Sequence, residues 1–308
     1  MLRNYFTVAL RNLHRNKAYA LINILDLALS MTCGILIFTL VKHHLSFDDF
    51  HAHSDRVYRI VTELHRDIVA YNPSVPSPLG KHFRDDYTFG EKVARIATVR
   101  GQLITLKKGN KLEKFREEQG LAFTEPVFFE IFHYPLQQGN PQTALSEPNT
   151  AILTQRMAKK YFGGDDPIGK TFWLNNRIPF RVTGILKDLP ANTDRRTEIY
   201  VSYPTLKAHD PWLAHETGGW DGIRDGMECY VRLRPSVSVA QVESVLPAYV
   251  KKYRPTSKNV HHYKLQPLAE VHFDGRYGGP MAKKNLWVLS LIGLFLLATA
   301  CVNFINLA

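Results

Sequence analysis

Residues 18–41 are the segment that most constrains how this chain can fold. They read AYALINILDLALSMTCGILIFTLV, a mostly apolar run of the length at which an α-helix crosses about 30 Å of hydrocarbon. Its second half, residues 27–41, has no ionisable side chain, whereas its first half contains Asn23 and Asp26. The pattern predicts a membrane-spanning helix, and the alternative is a buried core helix.

A second apolar run, residues 285–308, reads NLWVLSLIGLFLLATACVNFINLA and contains no charged residue. Because such runs stand at both ends, we predict two transmembrane helices that lie in a lipid bilayer. The interior, from about residue 46 to residue 284, is polar and long enough to bury a core of its own.

Three polar side chains at membrane depth, Asp26, Asn303 and Asn306, are expected to face another helix. An Asp that faces lipid at mid-bilayer costs about 2.5 to 3.5 kcal/mol on the insertion scale. The neighbouring helix can belong to this chain or to another. The small residues that would permit close helix packing are Gly34, Gly293, Ala298 and Ala300.

Basic residues before the first apolar run predict its orientation. Arg3, Arg11, Arg15 and Lys17 precede the run with no acid among them, and short basic flanks stay on the cytoplasmic side. We therefore place the N-terminus in the cytoplasm and the polar interior outside the membrane. A cleaved signal peptide is the alternative, but the residues that follow the run, KHH, offer no small-residue cleavage site.

The formal net charge of +11 does not predict a nucleic-acid partner. The positive residues are dispersed, without a block of like charges. A solvated surface near anionic headgroups explains such a dispersed excess better.

The interior shows a strand, a helix and a strand near its beginning and again near its end. Residues 56–64 alternate as a half-buried strand does, and Ser238 with Gln241 forms a capping-box pattern before the later helix. We infer that these pieces pair into one α+β subdomain, with residues 118–225 inserted as a second. Local signals also predict a helix capped by Thr154 and a hairpin turn at Asn175 and Asn176.

The predicted organisation has four parts. They are a cytoplasmic amphipathic helix (1–17), a first transmembrane helix with its stalk (18–45), an extracytoplasmic α+β domain (46–284) of two subdomains (46–117 with 226–284, and 118–225), and a second transmembrane helix (285–308).

Residues 164–171, GDDPIGKT, satisfy the pattern of a phosphate-binding loop. Such a loop should follow a strand and open a helix, whereas here the predicted helix precedes it and a strand follows. Asp165 and Asp166 would repel phosphate, and Pro167 lacks an N–H donor. We interpret the segment as a helix-to-strand turn.

Histidines after the first apolar run raise the question of a metal site. His43, His44, His51 and His53 lack a completing carboxylate or cysteine at suitable spacing, so a solvated histidine-rich stalk is the preferred interpretation. We find no nucleophile elbow and no zinc-protease motif. The sequence therefore predicts no catalytic, cofactor-binding or metal-ligating residue, and no cofactor.

Cysteine usage predicts no disulfide in the interior. Cys33 and Cys301 lie inside the two apolar runs, which leaves Cys229 alone between them. A free, buried thiol is the expected state of Cys229.

Several segments resemble the FtsX/MacB-type permease family of ABC transporters, in particular the long-loop type common in Bacteroidetes. They are FTVALRNLHRNKAYALINILDLALS, FDDFHAHSDRVYRI, EPNTAILTQRMAKKYFGGDDPIGKTF, FRVTGILKDLPANT and LLATACVNFINLA. Together they touch nearly the whole chain, and the third is the most specific. Asp26 departs from the family pattern, which usually has Gly near this position.

The resemblance implies a non-catalytic permease subunit in the inner membrane, with a MacB-like periplasmic core. Relatives work with a separate cytoplasmic ABC ATPase, and their first two spans relay its movement to the extracytoplasmic domain. The expected partners are therefore that ATPase, a second permease copy or homologue, and a protein of the periplasm or outer membrane. Because relatives carry further spans, we expect this chain to be an N-terminal fragment.

Two other classes of protein fit parts of the pattern. A two-span receptor with an extracytoplasmic sensing domain would continue into a signalling helix and a cytoplasmic catalytic domain. An anchored hydrolase would need a pocket with converging titratable groups.

Overall fold

The computed structural model describes Arg11 and residues 17–118, 120–258 and 260–305. The cytoplasmic amphipathic helix predicted at residues 1–17 lies outside this range, apart from Arg11 and Lys17. The chain separates into two compact units, which are a helical unit formed by its two ends and a head domain of residues 47–280.

The helices and strands are numbered in chain order. The described helices are α1 (Lys17–Leu45), α2 (Leu79–Asp86), α3 (Phe128–Ile131), α4 (Gln155–Phe162), α5 (Leu206–His209), α6 (Val239–Val245), α7 (Pro247–Tyr253), α8 (Leu268–Val271) and α9 (Lys283–Ile305). The described strands are β1 (Val57–His65), β2 (Val69–Asn72), β3 (Gly90–Val99), β4 (Gln102–Lys108), β5 (Lys111–Glu117), β6 (Leu121–Thr124), β7 (Leu136–Gln138), β8 (Thr150–Thr154), β9 (Thr171–Leu174), β10 (Ile178–Leu186), β11 (Ile199–Ser202), β12 (Met227–Leu233) and β13 (Val260–Pro267).

Helices α1 and α9 form the helical unit. The stretches Ala20–Leu45 and Lys283–Asn303 are long and apolar enough to cross a membrane by length and composition. Most of their large apolar side chains are exposed, as lipid-facing side chains should be. The prediction of two apolar helices that flank a mixed α/β head is confirmed.

The two helices satisfy the polar group that the sequence places at membrane depth. Asn303 Nδ2 donates a hydrogen bond of 2.9 Å to Asp26 Oδ2, so Asp26 finds its neighbour within this chain. A Cβ built on Gly34 would lie 3.1 Å from Leu297, and one on Gly293 would lie 3.2 Å from Ile37. The close packing predicted at these glycines is confirmed, while Asn306 lies outside the described residues.

One sheet runs through the whole head. The strand order is β13-β1-β12-β3-β6-β11-β8-β10-β9-β4-β5, with β2 paired to β1 and β7 paired to β10. Pairing is antiparallel except between β10 and β8 and between β11 and β6. The sheet passes from its first half to its second half through the β3–β6 pair, where Ala97 lies opposite Phe123.

Apolar side chains bury both faces of this sheet. Neighbours along a strand point to opposite faces, so Phe123 belongs to one buried cluster and Ala122 to another. A third cluster packs α2, α6 and α7 against the first half of the sheet, with Phe83 and Tyr249 among its buried rings. The helices are thereby fixed to the sheet by apolar burial.

Several local predictions are confirmed. The side chain of Thr154 accepts a hydrogen bond from Met157 N at the start of α4, and Ser238 with Gln241 completes a capping box at α6. Asn175 and Asn176 both have positive φ, as the tight turn between β9 and β10 requires.

The β4–β5 hairpin has a different neighbour from the one that the sequence division implies. The predicted division assigns the hairpin to the subdomain of residues 46–117 with 226–284. In the structure, however, β4 pairs with β9 of the other predicted subdomain, where Thr105 lies opposite Trp173. The reason is burial, because Ile104 and Leu106 pack into the same apolar cluster as Phe172 and Leu174. The hairpin is thus held by β9 through both strand pairing and apolar packing.

Candidate functional site

Three segments of the head meet where the chain leaves the helical unit. The N-terminal junction, residues 47–53, follows α1, and the C-terminal junction, residues 272–280, precedes α9. The third segment, residues 192–195, lies between β10 and β11 and is called the clamp loop. The two junctions are the covalent links between the head and the helices.

Asp48 fastens the N-terminal junction to the clamp loop. Its backbone N–H donates to Asn192 O at 3.0 Å, and its carboxylate accepts from Thr193 Oγ1 and, at 3.3 Å, from Asp194 N. Asp48 is 5% exposed and has a φ of 55°, a conformation that Asp adopts more readily than most residues. Backbone and side chain thus bind the same loop.

The carboxylate of Asp48 is held in its charged form. Burial alone would raise its pKa, but contacts with His51 and Thr193 outweigh burial and lower the pKa below its ordinary value of 3.8. Hydrogen bonds to a charged acceptor are among the stronger ones. The attachment is therefore electrostatic as well as steric.

His51 lies beside Asp48. Its Nδ1 accepts from His133 N at 3.1 Å, which leaves Nε2 as the protonated nitrogen, 3.6 Å from Asp48 Oδ1. The ring stands edge-on against Phe132 and Tyr134 and is 2% exposed. The prediction of a solvated stalk is wrong for His51, because aromatic packing buries it.

The C-terminal junction binds the same loop through His272. Its Nδ1 lies 2.9 Å and 3.1 Å from the two carboxylate oxygens of Asp194. Its ring stacks on Phe47 with centroids 3.7 Å apart and planes 20° apart. The first and last segments of the head therefore touch each other and share one clamp loop.

Arg195, the last residue of the clamp loop, connects the loop to the sheet. It donates to the carboxylate of Glu228 and, at 2.7 Å, to Tyr230 Oη, both on β12. Arg59 of β1 reaches the other oxygen of Glu228 at 3.4 Å. Burial alone would raise the pKa of Glu228, but the charges of Arg195 and Arg59 outweigh it and lower the pKa.

Arg59 extends this network toward the C-terminal junction. Its guanidinium donates to Gln266 Oε1 at 2.7 Å and 3.1 Å and to Tyr277 O at 3.4 Å. Tyr277 Oη donates to Glu63 on β1 at 3.3 Å. One continuous polar network therefore joins both junctions, the clamp loop and the strands β1 and β12.

The phosphate-loop pattern forms a turn between α4 and β9. Lys170 Nζ lies 2.6 Å from Asp165 Oδ2, and Gly169 N donates to Val182 O at 2.8 Å. The lysine is thus paired within its own turn, and a helix precedes the segment instead of following it.

Cys229 is free and buried, as predicted, and burial raises the pKa of its thiol to about 12. Within the described ranges, no three His, Cys, Asp or Glu side chains come together as metal ligands. The arrangement described above is suited to holding segments together mechanically.

Sequence reasoning did not find this site. Asp48, Asp194, Arg195 and Glu228 come from three distant stretches of the chain, so no local spacing links them. The available signal was weak, namely an acid directly after the first span and the DRR triplet in the loop before β11.

Comparison with known proteins covers most of the head. Residues 20–249, more than half of the chain, match the family described as the MacB-like periplasmic core domain. No curated protein matches the sequence significantly.

One solved structure shares the fold, and two others show a weaker similarity. A domain of a protein described as a permease from Porphyromonas gingivalis has a TM-score of 0.58 at 21% identity, covering 70% of this chain and 91% of its own. The periplasmic region of MacB from Actinobacillus actinomycetemcomitans has a TM-score of 0.48 at 18% identity, covering 71% and 91%. The extracellular domain of the ABC-type transporter YknZ from Gram-positive bacteria has a TM-score of 0.42 at 16% identity, covering 68% and 99%. Because the family match covers residues 20–249, the chain belongs to the family of the MacB-like periplasmic core domain, that of the MacB/FtsX-type permeases of ABC transporters.

Proposed function

We propose that this chain is a permease subunit that relays ATP-driven motion from a separate cytoplasmic ATPase to its periplasmic head. The observation that carries the proposal is the shared clamp loop. Asp48 after α1 and His272 before α9 both bind residues 192–195. A displacement of either helix would therefore load the same loop.

The network beyond the clamp loop gives that load a route into the sheet. Arg195 binds Glu228, and Glu228 lies on β12, which pairs with β1 on one side and β3 on the other. Buried ion pairs of this kind have a defined geometry and are costly to break. Movement at the junctions would thus reach β1 and β12 without a flexible intermediary.

We further propose that the head works as two subdomains, residues 46–117 with 226–284 and residues 118–225. The β4–β5 hairpin would move with the second subdomain, because β4 pairs with β9. The β3–β6 pair joins the two halves of the sheet and would be the line about which they move. Relayed motion would open or close the head along this line.

The proposed partners follow from this role. They are the cytoplasmic ABC ATPase, a second permease copy or homologue, the lipid bilayer, and a protein of the periplasm or outer membrane. The N-terminus would be cytoplasmic, with the basic residues before α1 on that side. ATP hydrolysis would belong to the ATPase and the substrate-directed work to the head.

A distance measurement in the complete transporter tests the relay. The full-length permease is purified with its ATPase from native membranes and spin-labelled at Lys114→Cys on β5 and Lys258→Cys before β13, at opposite ends of the sheet. Cys33 and Cys301 are replaced by Ser, while Cys229 is buried and stays. The distance between the labels should change when ATP replaces ADP.

Asp48→Asn should reduce this distance change while the ATPase still hydrolyses ATP, and the exposed neighbour Asp49→Asn should not. An unchanged distance in the wild type would overturn the relay. Recovery of a kinase or cyclase in place of an ATPase would instead favour the receptor alternative.

A further inference from the structure

A cavity of about 830 Å³ opens beside the clamp loop. Asp194 and Arg195 of that loop line it, together with Arg59 and Glu228 of the buried network. Its volume lies within the range of about 300 to 1,000 Å³ that small ligands occupy in proteins. The cavity is therefore large enough for a small molecule or a short peptide segment.

Strand register places three arginines along one wall of this cavity. Met227 lies opposite Ala97, Val99 lies opposite Leu121, and Ile199 is in register with Leu121. The residues just outside these strands, Arg224, Arg100 and Arg196, therefore lie at the same end of β12, β3 and β11. Three strand spacings of about 4.8 Å separate β12 from β11, so the row is about 14 Å long.

Backbone contacts support this alignment. Thr98 N donates to Gly226 O at 2.9 Å, and Glu198 N donates to Gly120 O at 2.8 Å. A Cβ on Gly120 would lie 3.3 Å from Arg196 O. The strand ends that carry the arginines are thus in close contact.

Two of the three guanidinium groups lack a carboxylate partner. Arg224 pairs with Asp210 at 3.4 Å. Arg196 donates to the carbonyl oxygens of Pro190 and Ala191. Within the part of the chain that the structure describes, no carboxylate lies at ion-pair distance from Arg100 or Arg196, and both are exposed. These two groups are available for an anion, which guanidinium binds in a bidentate manner.

The remaining lining indicates which kind of anion fits. Asp210 and Asp225 also face the cavity and would repel a polyanion, whereas they can accept hydrogen bonds from backbone N–H groups. Leu213, Leu268 and Val271 add apolar surface. A ligand that combines a carboxylate, N–H donors and apolar side chains matches all three features.

We propose that the cavity binds a short peptide segment with one acidic side chain and that Arg100 and Arg196 hold its carboxylate. Because Arg196 directly follows the clamp loop, an occupant would contact the segment that binds both junctions. Binding itself does not depend on the proposed relay, since it needs neither ATP nor the ATPase. The two proposals can therefore fail separately.

Fluorescence anisotropy with the full-length chain in detergent, without ATPase, tests the site. The probe is a short fluorescein-labelled peptide with a single Glu in a run of Ala, and the comparison peptide has Gln in place of that Glu. Arg100→Gln should weaken binding of the Glu peptide about tenfold, as expected when a charged hydrogen bond is lost. Arg116→Gln, an exposed arginine paired with Glu118 outside the cavity, should bind as the wild type does.

Arg196→Gln should weaken binding similarly, but this change also removes hydrogen bonds to Pro190 and Ala191. Arg100→Gln is the decisive variant, because no described contact of the Arg100 guanidinium supports the fold. Selective binding of the Glu peptide, lost in Arg100→Gln and kept in Arg116→Gln, supports the proposal. Equal binding of the Gln peptide, unchanged binding in Arg100→Gln, or displacement by inorganic phosphate at the peptide's own concentration would each overturn it.

Discussion

The ring of Phe47 stacks on the ring of His272, with centroids 3.7 Å apart. These residues stand at opposite ends of the head sequence, one shortly after α1 and the other shortly before α9. Their contact brings the two ends of the head sequence together beside the clamp loop. The proposed relay depends on this contact, because separate ends could move independently.

The Phe47–His272 contact should make a measurable contribution to the stability of the head. We expect Phe47→Ala and His272→Ala each to lower the free energy of unfolding. A double-mutant cycle should give a coupling energy of about 0.5 to 1.5 kcal/mol, the range for stacked ring pairs. Urea denaturation of the chain in detergent, followed by tryptophan fluorescence, measures each variant.

Phe50 combined with His272 provides the control for this cycle, because the described ring contacts of Phe50 are with His51 and Tyr134. Phe50 is 38% exposed and lies against His51. Phe50→Ala combined with His272→Ala should therefore be additive. A coupling energy near zero for Phe47 with His272 would show that the contact adds no stability.

Asp48 should make the head sensitive to acid. Its pKa in the folded state lies below the ordinary value of 3.8, so its stabilising effect is present above that value and is lost as pH falls through the folded pKa. Asp48→Asn should lower the thermal midpoint at neutral pH, and its difference from the wild type should shrink below pH 3.8. Thermal unfolding followed by circular dichroism across this range measures the difference.

Other acids also titrate in this range, so the comparison needs a matched variant. Asp49→Asn, at the exposed neighbouring position, should follow the wild-type curve at every pH. A gap between Asp48→Asn and the wild type that stays constant down to the lowest pH would contradict the assignment to Asp48.

Local patterns predicted much of the fold because their causes are local. Span length, the Thr154 cap and the Asn175–Asn176 turn each depend on a few adjacent residues. β6 was missed, since its residues, LAFT, are buried on both faces and show no alternation. Periodicity cannot separate such a short apolar run from part of a buried helix.

The candidate site could not be predicted for a different reason. Asp48 binds Thr193 across 145 positions of sequence, and Arg59 binds Gln266 across 207. Such contacts follow from the strand order, which local patterns do not determine. The same reason explains His51, whose burial depends on Phe132 and Tyr134 from another part of the chain.

The buried carboxylate of Glu228 should be among the most sensitive positions in the head. Glu228→Gln leaves Arg59 and Arg195 close together without a charged acceptor between them. Removing one partner of a buried ion pair costs about 3 to 5 kcal/mol. Urea denaturation should show this loss, and the double variant Arg195→Gln with Glu228→Gln should lose less than the sum of the single variants.

A surface pair provides the comparison for Glu228. Lys108 and Glu113 lie 2.7 Å apart on the β4–β5 hairpin, with side chains 46% and 42% exposed. Glu113→Gln should change the free energy of unfolding by no more than about 1 kcal/mol. Equal losses of unfolding free energy for Glu113→Gln and Glu228→Gln would mean that the buried network stabilises the head no more than a surface ion pair does.

The contact between α1 and α9 should be sensitive to side-chain size at Gly34. A Cβ there would lie 3.1 Å from Leu297. Gly34→Leu should therefore separate the helices, whereas Ala298→Leu at an exposed position of α9 should not.

Disulfide formation between Asp26→Cys and Asn303→Cys, with Cys33 and Cys301 replaced by Ser, reports how close α1 and α9 lie. The native side chains at these two positions are hydrogen bonded at 2.9 Å. Overpacking costs about 1 to 3 kcal/mol, so crosslinking in Gly34→Leu should slow about tenfold. Equal crosslinking rates in the two Leu variants would place the helix contact elsewhere.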